Sequence, residues 1–190
     1  MKKLLADIRA CTVCAPHLPL GPRPVVAAQS KARILLIGQA PGTKVHASGV
    51  PWSDASGKEL RRWLGVDEHT FYNDQVFAIM PMGFCYPGSG KSGDMPPRPE
   101  CAPLWHAKIW KHLKNVQLTL LIGKYAQAYY LPDSAALSLT EIVKAYHTHL
   151  PKYFPLPHPS PRNRLWQSKN AWFEKKVVPD LQQRVRAILG

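Results

Sequence analysis

The sequence has no run of about 18 or more apolar residues, the length that a membrane-spanning helix needs. Its first residues, Met-Lys-Lys-Leu-Leu-Ala-Asp-Ile-Arg, are too charged and too short in apolar content for a signal peptide. At 190 residues with 45% apolar content, the chain can bury a full core without cross-links. We therefore expect one cytoplasmic domain spanning residues 1–190, monomeric and with no membrane partner.

Acidic residues are scarce, since 12 Asp and Glu stand against 25 Lys and Arg for a formal net charge of +13. Such an excess of positive charge favours a polyanionic partner. Nucleic acid is the leading candidate. An anionic membrane surface fits less well, because no Lys/Arg-rich amphipathic helix stands apart from the rest of the chain.

Cysteine is also rare, with four in the chain. Cys11 and Cys14 form a Cys-x2-Cys pair, and Cys85 and Cys101 follow as a Cys-x15-Cys pair. In a cytoplasmic chain such pairs indicate metal ligation before disulfides. Four thiolates suit a zinc ion or an iron–sulfur cluster. The alternative is two buried free thiols plus a pair whose spacing is incidental.

The apolar pattern predicts alternating strands and helices. Short apolar runs bounded by turn residues predict strands near 33–38, 76–82 and 116–123 and a fourth that begins at Tyr153. Apolar residues at helical spacing predict helices near 1–10, 56–65, 101–113, 124–129 and 139–146, a helical turn at 68–74 and a long final helix over 165–188. This alternation predicts an α/β fold, a single domain with a short, mostly parallel four-stranded sheet flanked by helices.

Three segments are predicted to be irregular. Four prolines within Ala15–Ala32 predict an extended strap that wraps the domain. Thr43–Ser53 is polar and contains glycine, which predicts a functional loop. The Gly/Pro-rich segment after the second strand is also expected to be a loop, with three exposed side chains, Tyr86, Lys91 and Arg98.

The first predicted strand ends in Gly38-Gln39-Ala40-Pro41-Gly42. Gly and Pro force a sharp turn there with exposed backbone amides. In an open α/β sheet, ligands bind in the crevice beyond the carboxyl ends of the strands. Trp52 and Asp54 follow before the next helix. The stretch is therefore predicted to form one wall of an active site, although many strands end in a Gly-Pro turn without one.

A second motif, His158-Pro159-Ser160-Pro161-Arg162-Asn163, follows the fourth strand. Together the two motifs resemble those of the uracil-DNA glycosylase superfamily, and the second matches best the single-strand-selective branch. The cysteine spacing is similar to that of the iron–sulfur glycosylases of families 4 and 5, and Asp54 resembles the Asp implicated in chemistry in family 5. The resemblance covers residues 5–185. It implies a base excision repair enzyme that flips a damaged base, uracil before others, from DNA and hydrolyses its N-glycosidic bond, leaving an abasic site.

The resemblance also implies catalytic and base-binding roles. Asp54 would orient the attacking water, and His158 would donate a hydrogen bond to the uracil O2 as negative charge grows there. Trp52 would stack on the flipped base. The base would also contact the first motif, at Gly38, Gln39 and Ala40. In the plainer interpretation, Asp54 is a helix N-cap, Trp52 a core anchor and His158 a loop histidine.

Contacts with DNA are expected from the second motif. Ser160, Arg162 and Asn163 would contact phosphates and the minor groove of single- or double-stranded DNA. Leu165 or Arg162 would fill the gap left by the flipped nucleotide. The four cysteines would hold a structural [4Fe–4S] cluster, with zinc as the alternative, and so tie the strap to the loop after the second strand.

Two departures from the family pattern leave other functions open. Position 40 is Ala where the best-known branch has its catalytic Asp, although families 4 and 5 also lack it. The second strand ends in Met80-Pro81-Met82-Gly83, where family 4 has an Asn that reads the uracil edge. A catalytically inactive iron–sulfur homologue that binds nucleic acid is the main alternative. A zinc-stabilised nucleotide hydrolase is a more distant one.

Overall fold

The computed structural model describes residues 1–91 and 93–190. Its helices are α1 (Lys2–Arg9), α2 (Thr43–Ser48), α3 (Ala55–Leu64), α4 (Glu68–Phe71), α5 (Ala107–Trp110), α6 (Lys124–Tyr130), α7 (Leu139–Lys144), α8 (Arg164–Lys169) and α9 (Val178–Leu189). The π-helical turns Ala102–His106 and Phe173–Val177 lead into α5 and α9, and 3-10 turns lie at Ala15–His17, Pro132–Ser134, Tyr146–His149 and Pro161–Asn163. Among these helices none is long and apolar enough to cross a membrane.

The strands are β1 (Ile34–Ile37), β2 (Phe77–Ile79), β3 (Ser89–Gly90), β4 (Gly93–Asp94), β5 (Leu118–Ile122) and β6 (Tyr153–Leu156). The main sheet has the order β2-β1-β5-β6, and each neighbouring pair in it is parallel. Strands β3 and β4 form a separate antiparallel hairpin. The predicted α/β fold with four parallel strands is therefore confirmed.

Both faces of the main sheet are covered by apolar side chains. Alternate residues of a strand point to opposite faces, so Leu36 packs with Trp63 and Phe173 while Ile37 packs with Ile109 on the other side. The rings of Trp63 and Phe173 meet edge to face with centroids 4.9 Å apart. Each such fully buried side chain contributes roughly 1.5–3 kcal/mol. The sheet is thus a rigid support for the loops that follow the carboxyl ends of its strands.

The strand order creates a crevice at one edge of the sheet. The chain leaves β1 toward β2 on one side, and it leaves β5 toward β6 on the other side. Where the connections of two adjacent parallel strands diverge, the space beyond their carboxyl ends is free to receive a ligand. The first motif follows β1 and the second follows β6, so both lie at this edge.

The prediction that Thr43–Ser53 is irregular was wrong, because its first half forms α2. Gly42 precedes the helix with extended backbone, and Gly49 ends it in the left-handed conformation at φ 72°. The two buried residues of this helix are Val45 and His46. A six-residue helix with so few apolar positions lacks the repeat that identifies longer helices.

The prediction of one long helix over 165–188 was also wrong, because the chain breaks between α8 and the turn that leads into α9. Asn170 lies at this break. Its Nδ2 donates to the carbonyl oxygen of Trp166 at 2.8 Å, and its Oδ1 accepts from Trp172 Nε1 at 3.0 Å. The asparagine therefore ends α8 with its own side chain, which apolar spacing does not reveal.

Only one of the three side chains expected to be exposed after β2 is so. Lys91 is exposed, whereas Tyr86 is buried with its hydroxyl 2.6 Å from Ser89 Oγ. Arg98 is half-buried and forms an ion pair with Glu100. The segment is partly ordered by the β3–β4 hairpin, so its side chains are held by local contacts that composition does not predict.

Candidate active site

A pocket of about 590 Å³ opens at the carboxyl edge of the main sheet. Its walls bring together all the residues that the sequence predicted for catalysis and base binding, namely Asp54, His158, Gly38, Gln39, Ala40 and Trp52. Three of the residues predicted to contact DNA, Ser160, Arg162 and Asn163, also line it. Leu165 is outside the lining and is 75% exposed on α8.

The turn after β1 is fixed by the chain that follows β2. Met82 N donates to the Gly38 carbonyl oxygen at 2.8 Å, and Gly83 N donates to that of Gln39 at 2.9 Å. The Gln39 side chain donates through Nε2 to the Met95 carbonyl oxygen at 3.3 Å. These bonds hold the first motif between the end of β2 and the β3–β4 hairpin, so its backbone is a preformed wall.

Trp52 is held in an unusual conformation between two glycines. Its backbone φ is 58°, a left-handed value that few bulky residues adopt. A Cβ on Gly38 would come within 2.8 Å of the Trp52 ring, and a Cβ on Gly57 would collide with the Trp52 carbonyl oxygen. The ring packs against the core and also lines the pocket. The ring thus has one side against the core, and both the core-anchor role and stacking on a base stay predictions.

Asp54 is the N-cap of α3, as the plainer interpretation proposed. Its Oδ1 accepts a hydrogen bond from Gly57 N at 2.9 Å. This bond satisfies one of the free amides of the first helical turn. Because Asp54 also lines the pocket, the cap fixes the orientation of a carboxylate that a ligand can reach. Its catalytic role stays a prediction.

His158 lies directly beyond β6, and its ring centroid is 5.7 Å from that of Trp52. Asn163 Nδ2 donates to the His158 carbonyl oxygen at 2.7 Å and so fixes the local backbone. Burial lowers the pKa of His158, and the carboxylates of Asp54 and Asp94 oppose that effect only in part. The imidazole is therefore neutral at pH 7, with one nitrogen able to donate a hydrogen bond.

The other residues of the second motif hold one another at the mouth of the pocket. Ser160 Oγ accepts from Arg162 N at 3.2 Å and caps the 3-10 turn Pro161–Asn163. The Arg162 guanidinium lies against the hairpin, where a Cβ on Gly93 would collide with it. The motif and the hairpin therefore meet across the pocket.

Sequence reasoning missed two charged residues of the pocket, Lys124 and Asp94. Lys124 begins α6 immediately after Gly123 at the end of β5, so the rule about carboxyl ends of parallel strands could have found it. Asp94 belongs to β4, a two-residue strand in a Gly/Pro-rich segment, where no periodic signal exists. These residues add a cation and a second carboxylate to the site.

The sequence model of the uracil DNA glycosylase superfamily matches residues 25–182, well over half of the chain. The chain belongs to the uracil DNA glycosylase superfamily. The match includes every pocket residue from Gly38 to Asn163, and it begins after Cys11 and Cys14. Membership confirms the family that the two motifs indicated. It also indicates DNA glycosylase activity, with DNA as the partner.

In this member of the superfamily the four cysteines line one small cavity of about 10 Å³, which shares no lining residue with the pocket. Cys14, Cys85 and Cys101 are buried, Cys11 is half-buried, and all four are free thiols. Burial raises the pKa of the three buried thiols, that of Cys101 to about 12. The fold thus gathers two cysteines near the N-terminus with two that follow β2.

The side chains around this cavity suit a metal centre in their chemistry but not in their present arrangement. Within residues 1–91 and 93–190, no three His, Cys, Asp or Glu side chains are arranged to hold a metal ion as they stand. Trp105 lines the same cavity, and its buried Nε1 has no hydrogen-bond partner in the described part of the chain. Because a buried donor needs an acceptor and thiolate or sulfide sulfur can accept, the donor set fits a thiolate-bound centre chemically.

Proposed function

We propose that this protein is a DNA repair glycosylase that removes uracil from DNA and leaves an abasic site. The observation that carries the proposal is the gathering of His158, Asp54 and Trp52 in one pocket of about 590 Å³. Membership in the superfamily and the net charge of +13 both suit a DNA substrate.

Breaking an N-glycosidic bond leaves negative charge on the departing base and positive charge on the sugar, so both must be stabilised. His158 donates a hydrogen bond to the base oxygen that gains charge, and its lowered pKa keeps the ring neutral for this role. Asp54 orients the water whose oxygen bonds to the sugar carbon. The electron pair of the broken bond leaves with the base, and the carboxylate offsets the charge of the sugar. The water loses one proton as its oxygen bonds to the sugar carbon, and the departed base takes up one proton, so the net reaction is hydrolysis.

The flipped base would be held between a ring and a backbone wall. Extruding a base costs a few kcal/mol, and stacking on an aromatic ring such as Trp52 recovers roughly 1–3 kcal/mol. Gly38, Gln39 and Ala40 form the facing wall, where the absence of a Cβ at position 38 leaves room for the tryptophan.

Contacts with the DNA backbone would come from the second motif. Ser160, Arg162 and Asn163 lie at the pocket, where they would bind the phosphates that flank the lesion. Leu165 projects from α8 and is 75% exposed, which suits an apolar side chain that fills the gap in the base stack. We propose that the DNA bound in this way is single- or double-stranded.

We further propose that Cys11, Cys14, Cys85 and Cys101 hold a [4Fe–4S] cluster, with zinc as the alternative centre. Such a cluster would supply a structural cross-link between distant parts of the chain. Trp105 would donate its Nε1–H to a sulfur of the centre, which would satisfy a donor that has no partner among the described residues. The pocket chemistry involves none of these residues.

The decisive experiment measures single-turnover release of base from single-stranded and duplex oligonucleotides that contain uracil, hypoxanthine or a thymine mismatch. Wild type is compared with His158→Ala and with His112→Ala, which removes an exposed histidine outside the pocket. Release by wild type and His112→Ala but not by His158→Ala is expected. No release from any substrate, together with salt-sensitive DNA binding, would contradict the proposal and identify an inactive DNA-binding homologue.

A further inference from the structure

A buried hydrogen-bond network lies directly behind one wall of the pocket. Its centre is His106, which is 2% exposed and does not line the pocket. The ring nitrogen Nε2 lies 3.1 Å from the carbonyl oxygen of Pro81, and Nδ1 lies 2.7 Å from the hydroxyl of Tyr130. Trp110 Nε1 donates to the same hydroxyl at 3.2 Å. Pro81 is the member of this network that lines the pocket.

The partners of the network fix its protons. A carbonyl oxygen can only accept, so the proton of His106 is on Nε2 and is donated to Pro81. Nδ1 then accepts from the hydroxyl of Tyr130, whose oxygen accepts in turn from Trp110. Each of the four polar groups of this network has a partner in this one arrangement. Burial lowers the pKa of His106 to about 4, so the ring stays neutral at physiological pH.

The backbone around Pro81 is held from the other side by β1. Met80 N donates to the Leu36 carbonyl oxygen at 2.9 Å, and Met82 N donates to that of Gly38 at 2.8 Å. The peptide between these two residues is therefore clamped between the sheet and His106.

The fixed orientation of the Pro81 peptide determines which chemical groups this part of the pocket wall presents to a ligand. Proline has no N–H, and the Pro81 carbonyl already accepts from the buried histidine. The neighbouring lining residues Val25 and Ile79 are aliphatic. Among the described residues, the pocket wall at the end of β2 is therefore apolar and presents no hydrogen-bonding side chain.

We propose that His106 is a positioning residue that keeps the Pro81 carbonyl turned into the protein, so that this wall selects the flipped base by shape. The inference rests on the proposed glycosylase function and deepens it. A rigid apolar wall discriminates bases by bulk, with ratios on the order of 10–200 for a difference of about one methylene group. If the wall becomes more mobile, the protein should discriminate less between bases of different size.

The test compares single-turnover release of uracil, hypoxanthine and thymine by wild type, His106→Phe, His106→Gln and Tyr130→Phe. His106→Phe removes the donor to Pro81, and we expect the ratio of uracil release to that of the other bases to change by about fivefold or more. His106→Gln retains an N–H donor, so its ratio should return toward that of wild type. Tyr130→Phe removes the other bond of the ring but leaves the bond to Pro81, so its ratio should stay unchanged.

A merely structural role would lower release of all three bases by the same factor, and that result in a folded His106→Phe protein would overturn the inference. The imidazole nitrogens give a second readout that needs no activity, because nitrogen NMR should show the Nε2–H tautomer from pH 8 to about pH 5. An Nδ1–H tautomer would also overturn it. If the wild-type protein releases no base, that result would instead contradict the proposed glycosylase function.

Discussion

The pocket at the sheet edge and the cavity among the cysteines have opposite designs. The pocket holds about 590 Å³ and is lined largely by charged and hydrogen-bonding groups, whereas the cysteine cavity holds about 10 Å³ and is lined mostly by apolar side chains and thiols. A site that turns over a macromolecular substrate must open to solvent and present polar groups. A site that holds distant segments together gains from being closed. The proposed chemistry and the proposed cross-link therefore lie in separate parts of this fold.

The two regions also differ in what supports them. The pocket residues follow the carboxyl ends of strands whose positions are fixed by a core on both faces of the sheet. The cysteines lie between α1 and the 3-10 turn Ala15–His17, in the loop after β2, and just before the turn that leads into α5. Substitutions in the pocket should therefore change chemistry without unfolding the protein, and substitutions among the cysteines should do the reverse.

The largest effect is expected from His158→Ala. Loss of the hydrogen bond to the departing base should reduce single-turnover base release by about 10²- to 10⁴-fold. The thermal midpoint should stay close to that of wild type, because the ring makes its contacts in the pocket. A large fall in the thermal midpoint together with the loss of activity would contradict the expectation that substitutions in the pocket change chemistry without unfolding the protein.

Cys101→Ala is expected to have the converse effect. The purified variant should be colourless, lack iron and acid-labile sulfide, and melt at lower temperature, because loss of one ligand of the proposed cluster would also remove its contribution to folding. Thr12→Ala, an exposed substitution between Cys11 and Cys14, is the matched control and should retain iron. A brown and fully folded Cys101→Ala protein would exclude the cluster.

Gly38→Ala should give an intermediate effect that is confined to the pocket. The added methyl group would come within 2.8 Å of the Trp52 ring and displace it, which should weaken substrate binding by about tenfold. Gly42→Ala is the control in the same turn, since its added methyl group would be 3.4 Å from Asp94, an ordinary contact. Binding is measured by titration with a uracil oligonucleotide. If both variants bind equally well, Trp52 does not contribute to base binding.

The pH dependence of base release tests how the charges in the pocket set the pKa of His158. Release should be constant around pH 7 and fall in acid, as the His158 ring gains a proton at a pKa below the usual value for histidine. Asp94 stabilises the protonated ring, so Asp94→Asn should lower that pKa further and move the acid limb to lower pH. Asp133→Asn makes the same charge change at an exposed site outside the pocket and should leave the profile where it is.

The smallest effect is expected from Lys124→Ala. This lysine is exposed at the pocket, so its loss should weaken DNA binding a few-fold and reduce the slope of log K against log salt by about 0.7–0.9. Lys114→Ala, another exposed lysine outside the pocket, is the comparison. If both variants bind DNA alike, the contribution of charge at the pocket is no greater than that of the general surface.

Much of this architecture could be predicted because its signals are local. Four-residue apolar runs such as Ile34–Ile37 predict buried parallel strands, and the Gly-Pro turn and the His-Pro motif follow two of them. The short helix Thr43–Ser48 and the break at Asn170 were missed, because one lacks an apolar repeat and the other depends on side-chain hydrogen bonds. Asp94 was missed for a related reason, since its position depends on how a hairpin folds over the pocket.

The sequence by itself determined the strands, the two motifs and the four cysteines, because strand patterning and turn chemistry involve residues that are neighbours along the chain. Only the tertiary structure decided which of these parts meet. The parallel order of the sheet brings Gly38 and His158 to one pocket, and packing behind it joins His106 to Pro81. Contacts between residues far apart in the chain depend on the assembled core, and no local pattern encodes them.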